Sequence, residues 1–202
     1  MTFQSVDVVI EKGIPQSLLL DAAQLYYDGQ LKRFPGVVPR GTTIEELVDK
    51  LDPHYAFSAV EGDDVLLGIA AFATWRHGFW QPDPTNPWKT NSAGLAIKKL
   101  FSGRSLVAPR TRPREDGVLL LEGVFVTAEG LERGVGEPLM ESVIAEAKKL
   151  SMSRVQVFVE EPNPTVKSVY ERHGFRNKTP LKQYSVSYYI DWRFTEMILD
   201  LD

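Results

Sequence analysis

Three places in this sequence carry residues that could do chemistry. The first is Arg133-Gly134-Val135-Gly136, which follows the apolar run Leu119 to Val126 and opens a helix-forming stretch. Two glycines let the backbone pass close to a ligand, and a helix starting there aims unpaired N–H groups and its positive dipole end outward. That is an anion site, best suited to phosphate; the other reading is a tight strand-to-helix connection with no ligand. Leu139 stands where a dinucleotide fingerprint has its third glycine, and no Gly-Lys-Ser/Thr triplet follows, so the dinucleotide and Walker patterns are both absent. A phosphate held here rests on backbone amides, with Arg133 as a charged helper.

The second is Glu122, the one carboxylate inside Leu119 to Val126. A carboxylate in a mostly apolar strand either faces a cleft, where it can serve as base or hold a water, or is neutralised in an ion pair. The third is Asn163 to Phe175, NPTVKSVYERHGF. Pro164 suits a first helical turn, Val166, Val169 and Tyr170 share a face, and Gly174 ends the helix, so Tyr170 lies on the inner side. Asn163 is a preferred capping residue at the head of that helix.

These residues need a frame. Val6 to Ile10 alternates as a strand; Gly13 and Pro15 open a helix from about Gln16 to Phe34; Thr43 and Glu46 form a capping box for a second helix over Ile44 to Leu51. Tyr55 to Glu61 and Val65 to Trp75 read as strands joined by a Gly62-Asp63-Asp64 turn. Leu119 to Val126 reads as a strand buried on both faces, Thr127 to Leu131 as loop, and Pro138 to Leu150 as a helix. Arg154 to Glu160 alternates strictly, and the tail alternates around Tyr188 to Ile190 and again at Phe194 to Leu199. Residues 77–117 form a long, proline-broken insertion with one short helix at Ala93 to Phe101, read as a substrate-side lid, and four arginines (Arg104, Arg110, Arg112, Arg114) that read as a solvated face.

Composition limits what this frame can serve. Hydrophobic residues make up 43% and charged ones 25% of 202 residues, ordinary for one well-cored globular domain over 1–202. The formal charge of −4 argues against a general nucleic-acid binder. No run is long enough for a membrane span and the first residues lack signal-peptide order, so a cytoplasmic location is expected. There are no cysteines, which excludes disulfides, thiolate metal sites and a cysteine-bound covalent intermediate.

The order strand, helix, helix, three strands, helix, strand, helix, strand, with RGVG after the fourth strand and N-x-x-V-x-x-x-Y-x-x-x-G-F near the end, resembles the GCN5-related N-acetyltransferase (GNAT) family over roughly Val6 to Leu199. The resemblance implies an α/β (α+β) fold: a mixed, mostly antiparallel sheet of six to seven strands, about four flanking helices, and a splay between the fourth and fifth strands. It implies acetyl-CoA as cosubstrate and no metal. Its pyrophosphate would sit on the loop Leu131, Glu132, Arg133, Gly134, Val135, Gly136, Glu137, and its pantetheine arm on the backbone of Phe125 and Val126 and the side chain of Asn163. Leu131 replaces the usual Gln or Arg and cannot donate to phosphate. Tyr170 takes the general-acid position, with a packed core aromatic as the other reading; Val126 N–H would stabilise the oxyanion, and Glu122 is the candidate base. His77 and His173 are minor candidates.

The implied activity is direct acetyl transfer to an amine, of a small molecule or a peptide, in a ternary complex. The alternative is a coenzyme A-binding or sensing module without turnover. Partners expected are acetyl-CoA and the acceptor, with no nucleic acid, no membrane, and a homodimer as one possible assembly. Aromatics of the variable parts, Tyr26, Tyr27, Phe34, Phe79, Trp80 and Trp88, are candidates to cage the acceptor.

Overall fold

In the computed structural model the described residues are 7–31, 42–62, 64–81, 113, 115–178 and 193–201. The expected Ala93 to Phe101 helix, the four arginines and the Tyr188 to Ile190 alternation lie outside them. Strands β1 (Val8–Lys12), β2 (Ala56–Glu61), β3 (Val65–Ala73), β4 (Val118–Val126), β5 (Arg154–Glu161), β6 (Arg176–Asn177) and β7 (Arg193–Asp200) form one seven-stranded sheet in the order β1-β2-β3-β4-β5-β7-β6. Every pairing is antiparallel except β4 with β5. The mixed, mostly antiparallel sheet is the expected one; β7 inserts between β5 and β6, an arrangement that strand order along the chain does not reveal.

Five α-helices occur among the described residues: α1 (Leu19–Gly29), α2 (Ile44–Val48), α3 (Ala128–Glu132), α4 (Gly136–Lys149) and α5 (Pro164–Arg172). The capping box at α2 forms as expected, Thr43 accepting from Glu46 N–H and the Glu46 carboxylate from Thr43 N–H. The helix expected from Gln16 is a 3₁₀ turn, Gln16–Leu18, leading into α1. Thr127 to Leu131, expected as loop, is largely helical, because the Thr127 hydroxyl caps α3 by accepting from Gly130 N–H at 3.0 Å.

The sheet is covered on both faces. Against one face α4 buries Leu139, Met140, Val143 and Ala147 onto Leu119, Leu121, Val155, Val157 and Met197. Against the other, α1 buries Leu19, Ala22, Ala23 and Tyr26 with Ala56, Ile69, Ala71, Phe79 and Trp80. Each stripe follows the helical repeat, and a fully buried Leu or Met contributes about 1.5–3 kcal/mol.

Two bulges set the geometry around the site. Between β2 and β3, Ala59 faces Gly68 and Val60 faces Leu66, which makes Leu67 the extra residue. Its carbonyl accepts from Thr127 N–H at 2.9 Å and from the Thr127 hydroxyl at 3.1 Å, tying the start of α3 to the sheet. Gly130 packs so tightly here that a Cβ would lie 2.1 Å from the Leu67 carbonyl oxygen. Gly130→Ala is therefore expected to cost about 2–3 kcal/mol, a fall in melting temperature of roughly 5–10 °C; a thermal melt unchanged from wild type would contradict this docking.

Between β3 and β4, Ala71 faces Gly123 and Phe72 faces Leu121, so Glu122 is the extra residue of the second bulge. A bulge breaks strand alternation: Leu119 and Leu121 face α4, as do Val124 and Val126, although the two pairs differ in parity. Phe125 consequently packs on the α1 side.

Candidate active site

β4 pairs with β5 only from Val118 to Leu121, against Arg154 to Val157. β5 continues to Glu161 on β7, while β4 continues to Val126 on β3. The two strands thus part at Glu122, which is the expected splay. Burial records the same event: Val118 to Leu121 are buried, and Glu122 to Val126 are only half-buried. The expectation of a strand buried on both faces holds for its first half alone.

The gap is a cleft of about 200 Å³, lined among others by Glu122, Phe125, Val159, Asn163, Val166 and Tyr170. Four of the site residues expected from the sequence therefore meet at one place, although Glu122 and Tyr170 are far apart in the chain. Tyr170 is 7% exposed, packs edge-on against Phe175 at a centroid distance of 5.2 Å, and belongs to the α4-side core. The two readings of Tyr170, core aromatic and cleft residue, describe one position. Burial pushes its phenol above the ordinary value, so it stays protonated throughout the neutral and moderately alkaline range.

Asn163 caps α5, its side-chain oxygen accepting from Val166 N–H at 3.2 Å. Asn163 also lines the cleft, and its NH₂ group is a donor separate from the oxygen used in capping. Gly174, at φ +84°, closes α5 as expected.

Glu122 accepts a hydrogen bond of 2.6 Å from the Tyr26 hydroxyl. Tyr26 is buried, with Phe79 at 5.0 Å and Phe125 at 5.4 Å, both edge-on. Tyr26, Phe79 and Trp80 are thus core residues, not an open cage; Phe34 and Trp88 lie outside the described residues. The pairing of Tyr26 with Glu122 was not among the expected contacts, although a tyrosine on an otherwise apolar helix face signals a hydroxyl that needs an acceptor. The Phe125 ring lies across Gly123 and against Gly29, where Cβ atoms would stand 2.4 and 2.2 Å from it.

Past the cleft, the glycine loop rearranges the expected set. Backbone N–H groups of Leu131, Arg133, Gly134 and Val135 bond to carbonyls within the turn. Gly136 and Glu137 open α4 with no intrahelical acceptor, Val135 supplies no side-chain cap, and Pro138 has no N–H. The expected anion site thus narrows to the amides of Gly136 and Glu137. Gly134 needs its glycine for φ +70°, and Gly136 has only Val126 Cγ1, at 3.9 Å, near the position of a Cβ. The surface over both is open, a cradle in which a pyrophosphate fits.

The side chains of this loop do less than expected. Val135 is buried in the core, and Leu131 is 71% exposed. Arg133 bridges Glu61 at 2.7 Å and Glu129 at 3.3 Å, so its charge is already shared between two carboxylates. Glu137 pairs with Arg172 at 2.5 Å, drawing its carboxylate toward α5. His77 stacks on Tyr55, and His173 lies between Val169 O and Glu141, so neither histidine is among the residues lining this cleft. Among the described residues no cluster of His, Cys, Asp or Glu could hold a metal, and no helix is long and apolar enough to cross a membrane.

Comparison with known proteins places this geometry. The model of the Acetyltransferase (GNAT) family matches residues 23–175. No curated protein sequence matches. Among solved structures, a GCN5-related N-acetyltransferase from Kribbella flavida is similar with a TM-score of 0.60 at 15% identity, covering 96% of this chain and 98% of that one. An N-acetyltransferase from Staphylococcus aureus Mu50 has a TM-score of 0.61 at 15% identity, covering 97% and 99%. The structure of yncA from Salmonella typhimurium, solved with its cofactor acetyl-CoA, has a TM-score of 0.61 at 16% identity, covering 96% and 94%. These identities carry the fold, and the family match over most of the chain carries the classification: this chain belongs to the GNAT acetyltransferase family.

Proposed function

We propose that this protein transfers the acetyl group of acetyl-CoA directly to an amine, of a small molecule or an exposed peptide amino group, within a ternary complex. The observation that carries the reading is the parting of β4 and β5 at Glu122, which leaves a cleft lined by Glu122, Asn163 and Tyr170 among others. When bound, acetyl-CoA supplies an acyl group activated as a thioester.

The chain's own residues have distinct tasks. The backbone of Phe125 and Val126, no longer paired with β5, receives the pantetheine arm as an added strand would be received, and the Asn163 NH₂ donates to the same arm. The amides of Gly136 and Glu137 hold the pyrophosphate at the N-terminus of α4. Glu122 takes the proton from the attacking amine, Val126 N–H donates to the acyl oxygen, and Tyr170 gives a proton to the departing sulfur as the C–N bond forms and the C–S bond breaks.

Tyr170 is a reluctant acid. A thiolate, with an ordinary pKa of about 8.5, is a weaker base than a phenolate that burial has raised further, so full transfer is uphill. Tyr170→Phe, which keeps the ring packing on Phe175, is expected to lower kcat about tenfold and at most a hundredfold. Because the donor is the protonated form and its pKa is raised, Tyr170 produces no alkaline fall in rate below the ordinary phenol range. The test is initial-rate kinetics on both proteins with acetyl-CoA and amine varied together. Intersecting lines support direct transfer and parallel lines would count against it; an unchanged kcat in Tyr170→Phe where chemistry limits turnover would return Tyr170 to the core and leave water as the proton donor.

A further inference from the structure

We propose that Tyr26 is the positioning residue of the base: its hydroxyl holds the Glu122 carboxylate in place and in its ionised, proton-accepting form. The inference rests on the reading of Glu122 as base given above. It starts from an oddity of composition, a tyrosine 1% exposed on the apolar face of α1, where phenylalanine would pack equally well and would bury no hydroxyl.

The geometry makes the hydroxyl purposeful. Phe79 and Phe125 pack edge-on against the Tyr26 ring, which fixes where its hydroxyl oxygen stands. That hydroxyl donates to Glu122 Oε2 at 2.6 Å, and Glu122 is the bulged residue of β4. The other carboxylate oxygen stands beside Gly78, 3.2 Å from where a Cβ would be, so the glycine leaves room for it. Burial, then the charge and hydrogen bond of Glu122, raise the Tyr26 phenol well above its usual range, and the donor is therefore never lost by ionisation.

A permanent donor favours the charged form of its acceptor. Among the described residues, the other ionisable groups lining the same cleft are Glu160 on β5 and Tyr170 on α5, and His77, next to Gly78, is stacked on Tyr55. Glu160 would oppose ionisation of Glu122, a neutral Tyr170 contributes no charge, and the Tyr26 hydroxyl donates directly to the carboxylate. Without the hydroxyl, Glu122 should hold its proton to higher pH.

The experiment is the pH dependence of kcat/KM for wild type, Tyr26→Phe and Glu122→Gln, with a carboxyl ¹³C NMR titration of Glu122 in wild type and Tyr26→Phe. In Tyr26→Phe the acid limb should move up by about one pH unit, with the high-pH plateau within about threefold of wild type, and the NMR titration should move with it. Glu122→Gln should remove the inflection that belongs to the carboxylate and leave only the rise that follows deprotonation of the amine. An unmoved limb and unmoved titration in Tyr26→Phe would reduce Tyr26 to a packing residue and overturn the proposal, as would a fall in rate that is uniform across pH. If Glu122→Gln keeps the wild-type rate and limb, the base reading itself fails, whatever the NMR titration of Tyr26→Phe reports.

Discussion

Replacing Glu122 with glutamine is expected to lower kcat/KM for an amine acceptor by about 10²–10⁴-fold near neutral pH, the usual range for loss of a positioned general base. The substitution is close to isosteric, and the new amide oxygen can still accept from the Tyr26 hydroxyl, so α1 should remain tied to β4. Affinity for acetyl-CoA and the melting temperature should stay near wild type. The residual rate should climb with pH as more of the amine arrives already deprotonated, which separates loss of a base from a general disturbance of the cleft. Thiol release measured across pH tests this, and a kcat/KM equal to that of wild type at neutral pH would assign Glu122 a structural role beside Tyr26.

The second large effect concerns the cradle over α4. Gly136→Val places a branched side chain in the open space above the first two amides of the helix, where a Cβ approaches nothing of the protein closer than Val126 Cγ1 at 3.9 Å. The fold should tolerate it, while the approach of a pyrophosphate is blocked. Coenzyme affinity is expected to weaken by at least about tenfold and up to a hundredfold, about 1.4–2.8 kcal/mol. The thermal shift produced by acetyl-CoA should shrink accordingly. Gly134→Val is a poorer probe, because φ +70° there costs any side chain about 1–2 kcal/mol before a ligand is considered. Calorimetric titration of Gly136→Val with coenzyme A decides the matter; wild-type affinity would remove the phosphate from this loop.

Much of this architecture could be read from local pattern. The apolar run of β4, the glycines after it and the capped helix ending at Gly174 are short-range features, and each formed where its residues require. The site residues Glu122, Phe125, Asn163 and Tyr170 were legible as types, and their meeting in one cleft followed from the family resemblance. What stayed hidden depends on register. The bulge at Glu122 exists only in the pairing of β4 with β3, and no alternation within β4 announces it. The bulge at Leu67, which frees the carbonyl that anchors Thr127 and forces glycine at position 130, is likewise a property of two strands together.

Side-chain competition hid the rest. Arg133 beside two glycines suggested a phosphate ligand, but Glu61 comes from a different strand and Glu129 from the preceding turn, and both claim the guanidinium. Four of the loop amides are used inside the turn because Thr127 to Leu131 winds into α3, which leaves only Gly136 and Glu137 of the expected set for the proposed phosphate contact. Tyr26 was visible on the apolar face of its helix, yet its acceptor lay 96 positions away.

Turnover in the cleft between β4 and β5 is read by thiol release from acetyl-CoA by the wild-type protein with a panel of primary amines. Direct transfer requires release that depends on the amine, saturates with both substrates and yields one acetylated amine for each thiol. Acetyl-CoA that raises the melting temperature while no amine on the panel releases thiol would contradict it, and would make this chain a coenzyme-binding module.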